Sequence, residues 1–399
     1  MELAARVEDA LLSGDPLYGI LLDYAKCFDR LPHTIMLSLA EAMGAPPRLL
    51  SPLRRMYSSL RRRFKFNGSV GAEFHATNGI LQGCPLSVVL LNLLVCIWAN
   101  VITTETPAIP MAYADDATTI GARVAVEQAG SLTTEFCSLT GQLLNVTKCV
   151  GFAVNAPPTD PPLFLQGVPL KMVTADRILG ADVRFCPDAA PSPHVDSRVN
   201  AARTIIHKIS VLPLPLTAKS KLLATQPGAI AFYATEVTQL LPTHLHDLET
   251  AALGALWDSH RPHRCKEIVL TLFTLGHRVD PTQAIPYNRL VGLVRMIQHR
   301  PDLHSLVRHI LHCGRHHSPC GPVGLATQAL SSLGWSCTAL STSWVVTRSN
   351  VATNLLTIDP PAWAHEVREA TRQHRWAAAA RRRPDLHGIA DGIDRAATS

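Results

Sequence analysis

Met111-Ala112-Tyr113-Ala114-Asp115-Asp116 decides how the rest of this chain is read. A small apolar run leads into two adjacent carboxylates, and Ala117, Thr118, Thr119, Ile120 and Gly121 follow. The pattern predicts strand, tight turn, strand, with the Asp pair at the turn. Neighbouring acids repel, so a hairpin gains nothing structural from them. A divalent cation would offset the repulsion, and hard oxygen ligands suit Mg²⁺, which is held through a few carboxylates together with substrate phosphates. Taken alone, the pair is equally a solvated turn in which Asp caps backbone donors.

The 399 residues suffice for two or three domains with a sizeable core, and a hydrophobic share of 47% fits a globular chain. The longest apolar run, Cys84 to Asn100, is interrupted by Pro85, Ser87 and Asn92. It predicts a buried helix rather than a membrane span. Glu2, Arg6, Glu8 and Asp9 exclude a secretory leader, and Leu3, Val7, Leu11 and Leu12 mark one stripe of an amphipathic helix. Ten scattered cysteines form no CxxC pair. They read as free thiols in a reducing, intracellular compartment. The formal charge of +6 is compatible with a polyanionic partner.

Upstream of the Asp pair, Leu17-Tyr18-Gly19-Ile20-Leu21-Leu22 predicts a strand that delivers Asp23 at its end, and Pro32 opens a helix to about Met43. Asp23 is either a rigidly held metal ligand or a turn cap. A second helix spans 46–60. Arg61-Arg62-Arg63-Phe64-Lys65-Phe66 then begins a hairpin around Asn67-Gly68. From Arg54 to Lys65 there are six basic residues and no acid. Such a face either tracks a phosphate backbone or is simply solvated. Gly79-Ile80-Leu81-Gln82-Gly83-Cys84-Pro85 predicts a glycine turn into a helix, with a Gln amide able to donate and accept beside a close-approach backbone. After the Asp pair come a helix over 124–143, Lys148 at the entry to a strand over 149–154, a proline linker over 157–162 and a hairpin about Gln166-Gly167. Helical segments over 192–210, 217–240 and 242–260 follow.

Three carboxylates at strand ends, a Gly/Gln turn between them in sequence and a following Lys suit in-line phosphoryl transfer by two metals. At this point the chain resembles the reverse transcriptases of non-LTR (LINE-like) retrotransposons. Leu22-Asp23-Tyr24-Ala25-Lys26-Cys27-Phe28-Asp29-Arg30, Gly79-Ile80-Leu81-Gln82-Gly83-Cys84-Pro85-Leu86-Ser87, Tyr113-Ala114-Asp115-Asp116, Leu144-Asn145 with Lys148, and Ile178-Leu179-Gly180 are similar to five of the family's motifs, in its order. The resemblance implies an α+β fold: a right-hand polymerase palm, with an antiparallel sheet and helices on one face, then a helical thumb and a helical C-terminal extension. It implies Asp23, Asp115 and Asp116 as ligands of two Mg²⁺ ions, with Mn²⁺ as a substitute, and the carbonyl of Tyr24 completing one shell. Phe28 would be the gate against a ribose 2′-hydroxyl. Gln82 and Gly83 would contact nucleotide and template, Tyr113 the primer terminus and Lys148 the pyrophosphate. Ile178, Leu179 and Gly180 would grip the primer. Arg61, Arg62, Arg63 and Lys65 are the candidates for the nucleic-acid backbone.

The implied partners are an RNA template, a DNA primer and deoxynucleoside triphosphates, and no membrane; the implied setting is nuclear. The expected divisions are a palm with truncated fingers over 1–158, a primer-grip hairpin over 159–190, a thumb over 191–290 and an extension over 291–399. The short stretch before Leu17 suggests an internal fragment lacking most of the fingers. An RNA-dependent RNA polymerase and a catalytically inactive nucleic-acid-binding remnant are the alternatives. Phe28 argues against the first, because an RNA-making site needs a small or polar residue there. The His- and Cys-rich stretch from His299 to Cys320 matches no zinc spacing. Trp376 and Arg381-Arg382-Arg383 read as a mobile basic terminus or the stub of another domain.

Overall fold

A computed structural model describes residues 1–186, 193–257, 265–313, 320–339, 344–348 and 351–391. The chain divides into two compact units, Asp15–Thr174 and Met1–Gly14 with Ala175–Ser399.

The first unit holds strands β1 (Leu17–Leu22), β2 (Arg61–Phe66), β3 (Ser69–His75), β4 (Ile109–Tyr113), β5 (Asp116–Gly121), β6 (Val150–Val154), β7 (Phe164–Leu165), β8 (Val168–Pro169) and β9 (Lys171–Met172). Five of them form one sheet in the order β4-β5-β1-β6-β9. β1 lies at its centre and pairs antiparallel with both β5 and β6. The sheet is not wholly antiparallel as expected: β9 runs parallel to β6, because the β7–β8 hairpin turns the chain before it pairs again. Alternation sends Tyr18, Ile20 and Leu22 of β1 to one face. They are buried there with Trp98 and Ile102 of the Pro85–Glu105 helix and Val126 and Ala129 of the Arg123–Thr140 helix. Burying each large side chain contributes roughly 1.5–3 kcal/mol. Gly19 faces the other way, where a Cβ would lie 2.3 Å from the Phe152 ring, so only glycine fits.

The Pro85–Glu105 helix runs past the expected end at Asn100, because Ile102 continues its apolar stripe and Pro107 lies just beyond. By length and composition alone it could cross a bilayer. Leu90, Leu91, Leu94, Trp98 and Ile102 nevertheless sit in the core of this unit, and the Trp98 indole donates to Thr133 Oγ1 at 3.0 Å.

The second unit is mainly helical. The expected 217–240 helix is two short ones, Leu216–Thr225 and Pro227–Ala231, since Pro227 supplies no N–H to continue the first. The extension carries a three-stranded antiparallel sheet, Ser336–Ala339, Trp344–Arg348 and Val351–Asn354, besides its helices. The Glu2–Ser13 helix belongs here rather than with the palm: Ala5 lies in one core with Leu293, Ile297, Val307, Val323 and Trp363. Glu8 is buried, and its carboxylate accepts from the N–H groups of Val323 (2.8 Å) and Gly324 (2.7 Å) at the start of the Pro322–Ser332 helix. Burial pushes the Glu8 carboxyl up to about 7.

The expected mobile tail is instead the Pro360–Arg382 helix, with Trp376 and Arg375 buried. Arg375 Nε donates to Asp280 Oδ2 at 2.9 Å, its guanidinium pairs with Glu249, and Arg382 reaches Glu267 at 2.8 Å. Asp280 also caps the Pro281–His299 helix through Thr282 N–H at 3.0 Å. Burial raises the Asp280 carboxyl against the opposing pull of Arg375. In the His- and Cys-rich stretch, His309 Nδ1 lies 2.6 Å from Asp9 Oδ1 and Cys313 Sγ lies 3.2 Å from His309 Nε2. His316 and His317 lie outside the described residues.

Arg375→Met will leave the fully buried Asp280 without its cation, and Glu249 with Lys266 alone. A loss on the order of 3–5 kcal/mol is expected in urea unfolding of the full chain. Glu8 ionises less readily folded than unfolded, so its stabilisation is full below about pH 4.5 and is lost as pH rises through about 7. Unfolding at a series of pH values will show this decline, on the order of 3 kcal/mol, in the parent chain and not in Glu8→Gln.

Candidate active site

The backbone fixes the acids before any ligand arrives. In the β1–β5 ladder Leu22 faces Ala117, so the next step of the register sets Asp23 beside Asp116. The β4–β5 hairpin closes with Tyr113 opposite Asp116, leaving Ala114-Asp115 as a two-residue turn. Ala114 has φ 54, the left-handed value a type II′ turn needs at its first central residue. Asp115 and Asp116 are exposed and Asp23 is half-buried. The Asp116 carboxyl is raised by partial burial first, then by the charges of Asp115 and Asp23.

The loop after Asp23 is held by a strand-like bridge. Asn145 N–H donates to the Asp23 carbonyl at 2.8 Å and Ala25 N–H to the Leu143 carbonyl at 2.8 Å, with Tyr24 facing Leu144. Tyr24 thus takes the non-hydrogen-bonded position, and its own carbonyl points away from Leu144. The Asp23 N–H is covered by Cys149 Sγ at 3.3 Å. Among the described residues no three His, Cys, Asp or Glu side chains converge tightly enough to hold a metal ion. The donor set, three carboxylates beside an outward carbonyl, is of the kind a hard divalent cation takes.

The glycine turn docks on the segment after Asp23. Gly79 N–H donates to the Leu31 carbonyl at 2.9 Å and Ile80 N–H to the Phe28 carbonyl at 2.8 Å. Gly79 has φ 87, and a Cβ there would meet the Asp29 carbonyl oxygen at 2.8 Å. Its own carbonyl accepts from Arg62 at 2.7 Å and lies 2.9 Å from His33 Nε2. Gln82 and Gly83 stand exposed at the turn, and Lys148 is exposed in the turn before β6. Phe28 is half-buried against the core that contains Leu31, Met36 and Ile80.

Residues 7–178 match the family described as reverse transcriptase (RNA-dependent DNA polymerase). This stretch is a reverse transcriptase domain. Two curated relatives come from transposons. One is the transposon TX1 uncharacterized 149 kDa protein of Xenopus laevis, 27% identical over 165 residues, which cover 38% of this chain and 13% of the relative. The other is the Pol polyprotein of the type-2 retrotransposable element R2DM of Drosophila melanogaster, 28% identical over 149 residues, covering 34% and 14%. The aligned part is therefore about one seventh of either relative's length. Among solved structures, apo telomerase from Candida tropicalis is similar with a TM-score of 0.40 at 13% identity, covering 82% of this chain and 53% of that one. Telomerase from Candida albicans in complex with a TWJ fragment of telomeric RNA gives 0.37 at 12% identity, covering 76% and 51%.

The reverse transcriptase domain's acids, Tyr24, Phe28, Gln82, Gly83, Tyr113 and Lys148 all lie in the Asp15–Thr174 unit. Ile178, Leu179 and Gly180 lie in the other unit, in the hairpin of β10 (Ala175–Ile178) and β11 (Ala181–Arg184). Leu179 and Gly180 both have positive φ, 50 and 79, as a type I′ turn requires. Their carbonyls accept from the Tyr233 hydroxyl at 2.6 Å and from Arg198 at 3.3 Å. Sequence reasoning missed Arg198 and Tyr233, and also Arg62 on Gly79, His33 and Cys149. Their partners lie 17 to 126 residues away in sequence, and no short spacing marks them. Arg61 and Arg63, proposed for the nucleic-acid backbone, pair with Glu73 at 2.7 and 2.9 Å.

Gly79→Ala will force a left-handed alanine against the Asp29 carbonyl. It is expected to destabilise the chain by about 1–3 kcal/mol, read as a lowered urea midpoint.

Proposed function

We propose that this chain is the RNA-directed DNA polymerase core of a non-LTR retrotransposon, adding deoxynucleotides to a primer 3′-hydroxyl on an RNA template. The observation that carries the reading is the β1–β5 register, which sets Asp23 beside the Asp115-Asp116 turn inside a reverse transcriptase domain. Asp23 and Asp115 would be the main ligands of two Mg²⁺ ions, or Mn²⁺, with Asp116 the weaker third and the Tyr24 carbonyl completing one shell. Bound there, the metals would lower the pKa of the attacking hydroxyl and stabilise the leaving oxygen.

The protein's own groups do the positioning. Phe28 is tied through its carbonyl to Ile80 and so to the glycine turn. That tie supports its role as a fixed ring against the sugar 2′-position. Gln82 and Gly83, exposed at the mouth of that turn, would meet the nucleotide and the template. Tyr113, 70% exposed on the last residue of β4, offers its ring to the primer terminus. Lys148 would place a cation by the departing pyrophosphate. Ile178, Leu179 and Gly180 would hold the primer through a turn whose carbonyls are already fixed by Arg198 and Tyr233. All ten cysteines are free thiols, which supports an intracellular and, by the family's habit, nuclear setting.

Primer extension on poly(rA)/oligo(dT) with Mg²⁺ tests the reading. Extension by the parent chain that is abolished in Asp115→Ala, with the fold retained by circular dichroism, is expected. Extension that survives in Asp115→Ala would sink the site assignment, and RNA binding without any extension would favour the inactive remnant. Phe28→Ala is expected to admit ribonucleotides, measured as the ratio of rNTP to dNTP incorporation; an unchanged ratio removes the gate.

A further inference from the structure

The β2–β3 hairpin carries an apolar face with no counterpart in the core of its unit. Phe64 is 74% exposed and Phe66 83%, and Phe74 is exposed as well. Phe64 and Phe66 are two residues apart on one strand and so share a face, onto which Arg62 and its cross-strand partner Phe74 also project. The Phe64 and Phe74 rings stack, with centroids 5.0 Å apart and planes 21° from parallel. A bulge in the ladder between Arg63 and Lys65 sets Gly71 beside Phe64. A Cβ at Gly71 would lie 4.0 Å from the Phe64 Cβ. No cross-strand side chain from that position covers the ring.

The surroundings are cationic. Residues 61–75 hold Arg61, Arg62, Arg63 and Lys65 against one acid, Glu73. Glu73 takes up part of the charge of Arg61 and Arg63, so these two hold the strands in register and offer less to a phosphate than their number suggests. Arg62 donates to the Gly79 carbonyl, which fastens the hairpin to the glycine turn of the polymerase site. Isolated two-stranded hairpins are marginal in water, and three exposed phenylalanines on one call for a ligand that covers apolar faces within a positive field.

We infer that this hairpin is a stacking platform for single-stranded nucleic acid, with Phe64 and Phe66 carrying unpaired bases on one face and Lys65, which alternation puts on the other face, adding positive charge that draws the backbone. The inference rests on the polymerase reading for the identity of the strand, the template. The spacing suits the ligand. Residues two apart on a strand are separated by about 6.8 Å, which is about twice the 3.4 Å rise of stacked bases, so the two rings can sit on either side of one base. A ring face accepts any base, so the platform is indifferent to sequence, as copying an arbitrary template demands. Charge attracts the strand here, and the rings retain it.

Fluorescence anisotropy of a labelled single-stranded 20-nucleotide RNA, titrated with the full chain in EDTA and without nucleotide, tests this. Phe64→Ala and Phe66→Ala change exposed side chains, and circular dichroism checks that the fold is kept. Each is expected to weaken binding by about tenfold without changing the slope of log affinity against log salt. Lys65→Ala is expected to reduce that slope by about one. A blunt RNA duplex should compete poorly, because its bases are already stacked. Unchanged affinity in the Phe64→Ala/Phe66→Ala double variant overturns the platform, as does equal competition by duplex. So does a double variant that loses only self-association on gel filtration, which would make the face a protein contact. Asp115→Ala should bind RNA as the parent does. Failure of the platform is therefore read in the binding assay, and failure of the polymerase reading in primer extension.

Discussion

The antiparallel pairing of β1 with β5 carries Asp23 to the side of the Asp115-Asp116 turn, and the rest of the candidate site is arranged about that pairing. Three carboxylates would not gather of their own accord. Their mutual repulsion is met by backbone hydrogen bonds along the ladder and by a core in which Ile20 and Ala117 are buried. Partial burial raises the Asp116 carboxyl, and the charges of Asp115 and Asp23 add to the rise. A second layer of backbone bonding, from Asn145 to Asp23 and from Ile80 to Phe28, ties the neighbouring motifs to the same loop. Motifs far apart in sequence thus share one backbone seat.

Much of this was legible in the residues. The apolar run Leu17–Leu22, the Asn67-Gly68 turn and the Asp pair announce strands and hairpins directly, because their signals are local. The acids, the glycine turn and Lys148 were legible as a set through their order. What stayed hidden is long-range. Nothing near Glu8 in sequence points to Val323, and nothing near Arg375 points to Glu249 or Asp280. A buried arginine in a helix that also holds Arg372, Arg381 and Arg382 looks like a solvated basic face until the carboxylates opposite it are known. The basic run at Arg61–Lys65 likewise has partners that its charge count does not reveal. Charge count left a phosphate-tracking face and a solvated face both open, and Glu73 and the Gly79 carbonyl hold three of the four cations.

The two units rest on different kinds of cohesion. The sheet unit is fixed by ladder register and a face of aliphatic and aromatic side chains. The helical unit adds to its apolar cores a buried ionic junction where Arg375 joins acids from separate helices. Such a junction is sensitive to loss of any one member, since the remaining charges have no water to turn to.

The Glu2–Ser13 helix completes a core whose other members come from beyond residue 289, with the whole Asp15–Thr174 unit intervening. Synthesis from the N-terminus therefore produces this helix some 315 residues before its partners at Val323 and Gly324. The sheet unit can fold in the meantime, while an amphipathic helix waits with its apolar stripe unpaired. Contacts of this span carry a heavy loop-closure entropy and form late. The helical unit is in effect sealed last, by a segment made long before the partners that cover its apolar stripe.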